Sequence, residues 1–228
     1  MKNILITREE KLDNKLEKIA KEKDLNIIYC PLIKTTKIEF NPPDLDKYDY
    51  LIITSKNAVK YFLKSIPLEK ILHKKVIAVG EKTKKYLKNL GFDEIIIPEI
   101  NSARGIEKLI QEKQFKDKKF LFIRAEKGQE INNKNLDLLI VYKTIFNKPE
   151  NYKECSKLLI KGEIDYVIFS SPSTFYSFME NFKNYEKLLN NTKIITIGNT
   201  TKKAVESKGF NVYFVPKKPS FEEIINAL

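Results

Sequence analysis

The sequence predicts an α/β protein of two similar domains, each a parallel sheet flanked by helices, joined by a two-stranded β-ladder linker. Three observations predict it. The chain repeats itself: IAVGEKTKKYLKNLGF (77–92) parallels ITIGNTTKKAVESKGF (195–210), with Gly80 and Gly198, Thr83 and Thr201, Gly91 and Gly209 each 118 residues apart. Upstream, YDYLIITSKNAVKYFL (48–63) parallels IDYVIFSSPSTFYSFM (164–179), and ILITREE (4–10) parallels FLFIRAE (120–126), both at an offset of 116. Matched blocks in one order, with a drift of two residues, mark a duplicated unit of about 110 residues. Each copy alternates short β-rich apolar runs with amphipathic helical segments, the pattern of parallel sheets with right-handed crossovers. Finally, two alternating stretches, Pro31–Phe40 and Val141–Asn147, follow a strand in each copy. They are placed to leave their domains as linkers and to pair with one another. That arrangement builds one domain from both ends of the chain and the other from its middle.

Taken in order, strands are expected near Asn3–Arg8, Leu25–Cys30, Tyr50–Thr54, Lys75–Val79 and Glu94–Ile97. The second copy repeats them near Lys119–Arg124, Leu138–Tyr142, Tyr166–Ser170, Lys193–Ile197 and Val212–Val215. Runs of four to six apolar residues without polar alternation suit parallel strands buried on both faces. Helices fill the gaps. In Lys82–Leu90 the residues Tyr86, Leu87 and Leu90 share one face, and Gly91 follows as a cap. The segment AEKGQEINNKNLD (125–137) is too short and polar for a full crossover helix.

Composition narrows the chemistry. At 228 residues and 42% hydrophobic, the chain can bury a substantial core. No apolar run approaches the length that spans a bilayer. MKNILITREE turns polar by Glu9, so no signal peptide is expected. Two cysteines, Cys30 and Cys155, fit a reducing cytoplasm and give no metal spacing. A single histidine, His73, disfavours His-based triads and zinc sites. Lys+Arg number 42 against 30 Asp+Glu; only Arg8, Arg104 and Arg124 are arginines, which leaves 39 lysines. Few arginines and no basic cluster with interleaved aromatics argue against nucleic acid. The charge of +12 is either compositional drift or an attraction for a polyanionic ligand.

Ligands of open α/β sheets bind beyond the carboxyl ends of the strands. Hydroxyl residues gather there: Thr54-Ser55-Lys56-Asn57 and Ser170-Ser171-Pro172-Ser173 each open a helix, Thr83 and Thr200-Thr201 follow Gly80 and Gly198, and Ser102 precedes a further helix. They read as helix caps, or as rims whose N–H groups hold an anion. Arg8 and Arg124 end the first strand of each copy, as anion binders or as members of structural ion pairs. Tyr142, at a strand exit beside a linker, is a packing residue or a neutral proton donor.

The set Thr7-Arg8, Pro31-Leu32-Ile33, Thr54–Val59, Val79-Gly80-x-x-Thr83, Val141-Tyr142-x-Thr144, Phe169–Ser173 and Ile197-Gly198-x-Thr200-Thr201 resembles the uroporphyrinogen-III synthase family from residue 3 to 228. Two places depart from the family pattern. Gly198-Asn199-Thr200-Thr201 stands where Gly-Pro-Thr-Thr is usual, and Lys127-Gly128-Gln129 where a Gly-Arg pair is frequent. The resemblance implies a bilobed protein, with residues 1–35 plus 146–228 in one domain, 38–143 in the other, and linkers near 33–40 and 141–147. It implies cyclisation of hydroxymethylbilane, a linear tetrapyrrole, with loss of water and inversion of the last pyrrole ring. No cofactor or metal, no membrane and no nucleic acid are implied, and a cytoplasmic monomer is expected. Each pyrrole carries two carboxylates, so the substrate is a polyanion. The implied substrate-binding residues are Arg8, Thr54, Ser55, Lys56, Asn57, Thr83, Ser102, Arg124, Ser170, Ser171, Pro172, Ser173, Thr200 and Thr201, with Tyr142 as the proton donor. A non-catalytic two-domain binder of a small polyanion is the alternative.

Overall fold

A computed structural model describes residues 1–128 and 130–228; Gln129 of the departing Lys127-Gly128-Gln129 stretch lies outside the described residues. The chain runs β1 (Lys2–Ile6), α1 (Asn14–Glu22), β2 (Leu25–Tyr29), β3 (Ile33–Lys37), β4 (Tyr50–Ile53), α2 (Lys56–Phe62), β5 (Lys75–Ala78), α3 (Glu81–Asn89) and β6 (Ile95–Ile96). It continues through α4 (Ala103–Ile110), β7 (Phe120–Ala125), β8 (Leu136–Phe146), α5 (Tyr152–Lys161), β9 (Tyr166–Phe169) and α6 (Pro172–Asn181). The remaining elements are α7 (Tyr185–Asn190), β10 (Lys193–Thr196), α8 (Asn199–Glu206), β11 (Val212–Phe214) and α9 (Phe221–Ala227).

These elements form two compact units. Unit 1 is Met1–Lys34 with Ile145–Leu228, and unit 2 is Thr35–Thr144. Unit 1 holds a five-stranded sheet in the order β11-β10-β9-β1-β2, parallel at β1–β2, β1–β9, β9–β10 and β10–β11. Leu5, Val167 and Ile194 pack to one side of it, with Phe169, Phe175, Phe178 and both cysteines. Ile4, Ile6, Ile168 and Ile195 pack to the other, with Phe221, Ile224 and Ile225. Burial on both faces explains why the strands read as unbroken apolar runs.

The sheet of unit 2 follows the order β3-β8-β7-β4-β5-β6. Leu51, Ile53, Val76, Leu121 and Ile123 face one core layer. Ile52, Ile77, Phe120 and Phe122 face the other. No helix lies between β7 and β8 among the described residues, as the short polar segment predicts. The strand expected at Leu138–Tyr142 and the linker expected at 141–147 are one eleven-residue strand, β8. The two linker stretches do pair, with the N–H of Ile38 donating to the carbonyl of Val141 at 3.0 Å, but as an edge of the six-stranded sheet and not as a separate ribbon. β6 is shorter than expected, two residues against Glu94–Ile97.

The duplication is visible in hydrogen bonds. Asp49 accepts the N–H of Lys119 at 2.9 Å, and Asp165 accepts the N–H of Asn3 at 2.7 Å. The N–H groups of Asp49 and Asp165 donate back to the carbonyls of Lys119 and Asn3. Each carboxylate therefore clamps the entry of one central strand to that of its neighbour. Caps repeat as well: the Oγ of Ser55 accepts from Ala58 N–H at 3.1 Å and that of Ser171 from Thr174 N–H at 3.3 Å. No helix among the described residues is long and apolar enough to cross a membrane.

Candidate functional site

A cleft of about 370 Å³ opens in unit 2 at the carboxyl ends of β4, β5, β7 and β8. Thr54 and Ser55 leave β4, Val79 leaves β5, and Arg124 and Ala125 end β7. Tyr142 faces them from β8, while Asn101, Ser102 and Ala103 close one rim at the start of α4. Phe122, Lys127 and Gly128 complete the lining.

Local backbone features place these groups. Along the β7–β8 pair Arg124 lies opposite Ile140 but Ala125 lies opposite Tyr142, so the register slips by one residue at the cleft. Such a bulge turns a side chain off the regular alternation. Val141 and Tyr142 are consecutive yet both buried. Ser102 caps α4 by accepting the N–H of Gly105 at 3.2 Å. A Cβ at Gly105 would meet the carbonyl oxygen of Ile100 at 1.9 Å, so only glycine lets this rim fold so tightly. A Cβ at Gly128 would lie 3.2 Å from Nη1 of Arg124.

Arg124 dominates the electrostatics. It is 6% exposed, and its Nη1 donates to the carbonyls of Ala125 at 3.0 Å and Glu126 at 3.3 Å. Its Nε has no partner, and no carboxylate pairs with it among the described residues. The guanidinium carbon lies 5.7 Å from the centroid of the Phe122 ring. Arginine keeps its charge, and a buried charge without a partner is costly to the fold. The repeat makes the contrast sharp. Arg8, at the equivalent place in unit 1, is paired with Glu10 at 2.6 Å and sits over Phe221. Arg124 has no such pairing among the described residues.

Tyr142 is 9% exposed, and its hydroxyl lies 3.1 Å from Oγ of Ser55. Of the residues expected to bind substrate, the cleft gathers Thr54, Ser55, Ser102 and Arg124, together with Tyr142. Lys56, exposed and 5.8 Å from the Tyr86 ring centroid, is not part of its lining, nor is Asn57. Thr83 is buried in α3, away from the lining. Ser170, Ser171, Pro172, Ser173, Thr200, Thr201 and Arg8 belong to unit 1. There Ser171 and Pro172 begin α6, Ser173 is half-buried, Thr200 is exposed, and Thr201 is buried at 3%. The cleft also takes in Asn101, Ala103, Lys127 and Gly128; the start of α4 has its repeat partner at Pro219-Ser220, whereas Lys127 and Gly128 lie in a loop without one. The polar segment after Arg124 is the one signal for Lys127 and Gly128.

Fold and site together define a duplicated α/β protein with a cleft, holding a buried arginine, at the strand ends of its inserted unit. Comparison with known proteins gives the family. The uroporphyrinogen-III synthase HemD family matches residues 14–226, and the chain belongs to that family. It is 28% identical to a uroporphyrinogen-III synthase of Chlorobaculum parvum, over 99% of this chain and 98% of that one. It is 27% identical to a putative uroporphyrinogen-III synthase of Methanocaldococcus jannaschii, over 99% and 97%. The fold matches a crystal structure of uroporphyrinogen-III synthetase from Helicobacter pylori with a TM-score of 0.71, at 21% identity, over 100% of this chain and 98% of that one.

Proposed function

We propose that the unit 2 cleft holds part of hydroxymethylbilane and that the protein closes it to uroporphyrinogen III, as a cyclising lyase of tetrapyrrole biosynthesis. The observation that carries this reading is Arg124, a buried guanidinium with an unpartnered Nε and no carboxylate of its own among the described residues. Its natural counter-ion is an acetate or propionate of the substrate, held by charge-assisted hydrogen bonds. Lys127 and the capped start of α4 at Ser102 line the same cleft and favour the same charge.

The reaction asks for little acid–base machinery. The terminal C–O bond breaks as Tyr142 gives its proton to the departing hydroxyl, which leaves as water. A cationic azafulvene and a tyrosinate remain. A carbon–carbon bond forms at the substituted α-carbon of the last ring, that carbon's bond to its original bridging carbon breaks, and the released bridging carbon bonds to the ring's free α-carbon, so the macrocycle closes with the ring inverted; the proton lost on rearomatisation restores Tyr142. Holding the bilane so that the ring-inverting attack wins is catalysis by orientation. A positioned donor adds about 10²–10⁴-fold. Ser55, 3.1 Å from the phenol oxygen, is placed to donate a hydrogen bond to the tyrosinate left after transfer.

Thr54, Ser55, Ser102 and Arg124 serve as the unit 2 contacts in this proposal. Arg8, Lys56, Asn57, Thr83, Ser170, Ser171, Pro172, Ser173, Thr200 and Thr201 remain proposed contacts on sequence grounds alone. The protein is proposed to work as a monomer in the cytoplasm; its two cysteines, both free, suit a reducing setting. The family does not favour a binder without catalysis. The deciding experiment supplies hydroxymethylbilane to the purified protein and separates the oxidised products. The type III isomer is expected; only the type I isomer at the spontaneous rate would overturn the assignment.

A further inference from the structure

Tyr61, in the body of α2, is absent from the cleft yet touches what the cleft depends on. Its ring stacks on that of Tyr142, with centroids 5.3 Å apart and planes 16° from parallel. Its hydroxyl donates to the carbonyl oxygen of Thr35 at 2.7 Å and lies 3.0 Å from the Thr35 Oγ1. The ammonium of Lys64 sits 4.6 Å from the centroid of the same ring. Tyr61 is 5% exposed within an otherwise apolar cluster that includes Phe62, Leu51 and Val141. A phenylalanine or leucine would fill that space without a polar group to satisfy. A buried hydroxyl is costly unless bonded. Here its bond goes to β3, at the residue where the chain enters unit 2.

Helix α2 thus holds Tyr142 at two points. Ser55 at the helix cap meets the phenol oxygen, and Tyr61 near the helix end meets the ring. We infer that Tyr61 is a positioning residue for Tyr142: its ring fixes the plane of the Tyr142 ring, and its hydroxyl ties that plane to the linker strand at Thr35. The inference rests on the reading of Tyr142 as the proton donor. Its physical basis is the steepness of positioning, since a misplacement of about 1 Å at a reacting group can cost about 10²-fold. The link to Thr35 adds a consequence. Movement of β3 would pull on Tyr61 and through it on the proton donor, so the linker and the site share one set of contacts.

Two variants test this with the full chain and hydroxymethylbilane. Tyr61→Leu removes both the stack and the tie. It is expected to lower kcat about 10-fold or more, a loss below that of the donor itself, with KM within about two-fold. Tyr61→Phe keeps the stack and removes the tie, with an expected kcat loss of about three-fold, so partial rescue by the aromatic ring is part of the prediction. In a Tyr142→Phe background, Tyr61→Leu should add no further loss of kcat, because there is no donor left to position. Melting curves accompany each variant. If Tyr142→Phe turns over normally, the donor reading fails and carries this inference with it. If Tyr142→Phe is slow but a folded Tyr61→Leu keeps normal kcat, the inference alone is overturned. An additive loss in the double variant overturns it too. If Tyr61→Leu does not fold, Tyr61→Phe decides: kcat within experimental error of the parent overturns the inference.

Discussion

The hydroxyls of Ser55 and Tyr142 lie 3.1 Å apart, and the same Ser55 oxygen accepts the N–H of Ala58 to begin helix α2. One side chain therefore starts a helix and touches the phenol across the cleft. At this position a helix cap also carries a second hydroxyl contact.

Tyr142→Phe keeps the ring and its stack and removes the proton. Turnover is expected to fall by about 10²-fold or more, with substrate affinity and melting temperature little changed. Steady-state kinetics beside a thermal melt measure both. A stable variant at near-normal turnover would leave orientation, with water as the proton source, to carry the reaction.

Arg124→Gln tests the anion site. Removing a buried, carboxylate-free charge relieves the fold of a desolvation cost, so the melting temperature should hold or rise. Substrate binding should weaken by about tenfold or more, the equivalent of about 1.4 kcal/mol. Arg124→Lys should recover only part of it, since an ammonium lacks the planar fork that meets a carboxylate at two points. A collapse of stability with unaltered affinity would recast Arg124 as a clasp for the carbonyls of Ala125 and Glu126.

Gly105→Ala should run against helix propensity. Alanine in a helix is ordinarily favoured over glycine by about 1 kcal/mol. Here the added methyl would stand 1.9 Å from the Ile100 carbonyl oxygen, a backbone atom, so the rim must open. A destabilisation of about 2 kcal/mol or more is expected in urea unfolding, with a raised KM as Asn101–Ala103 shift. A stabilised variant would refute the close approach.

Asp49 gives the acid side of stability. The backbone N–H of Lys119 holds its carboxyl below the ordinary range, burial opposes that, and Lys118 adds to it. A depressed folded value means that the contribution is complete above the unfolded value of about 3.9 and disappears as pH falls through the lower folded value. Asp49→Asn should therefore be less stable than the parent at neutral pH, with the gap closing below about pH 4. Urea midpoints for both proteins across pH 2–7 measure it; a gap constant with pH would show that the lost clamp, not its charge, matters.

The duplication and the strand–helix alternation could be read from residues, because each leaves a periodic or repeated trace. Thr54, Ser55, Ser102, Arg124 and Tyr142 were found as site candidates by the rule that ligands gather at carboxyl strand ends. The same rule names Thr83 and Thr201, which are 5% and 3% exposed. Nothing in a linear pattern separates a threonine that points into a core from one that points into a cleft. The slip in register at Arg124–Ala125 was beyond reach as well, since it depends on how β7 and β8 meet in space. So was the difference between Arg8 and Arg124. Their repeat positions are equivalent, and a glutamate follows each two residues on, yet Arg8 pairs with the Glu10 carboxylate while Arg124 meets the backbone carbonyl of Glu126.

The division of the chain also sets an order of assembly. Every strand that pairs within Thr35–Thr144 comes from one continuous stretch, so that core can close as soon as β8 has been made. The central pairing of the other unit, β1 with β9, joins Ile4 to Tyr166 and must wait until the whole intervening segment exists. Closing so long a loop from an unfolded chain is entropically expensive, and the cost rises with loop length. An intervening segment that has already collapsed, with its two ends brought side by side in β3 and β8, shortens the effective loop to residues 5–34 and 145–165, about a third of its full length. The cleft-bearing unit is therefore expected to ease the closure of its neighbour, and damage to its core to surface as slow or failed folding of both.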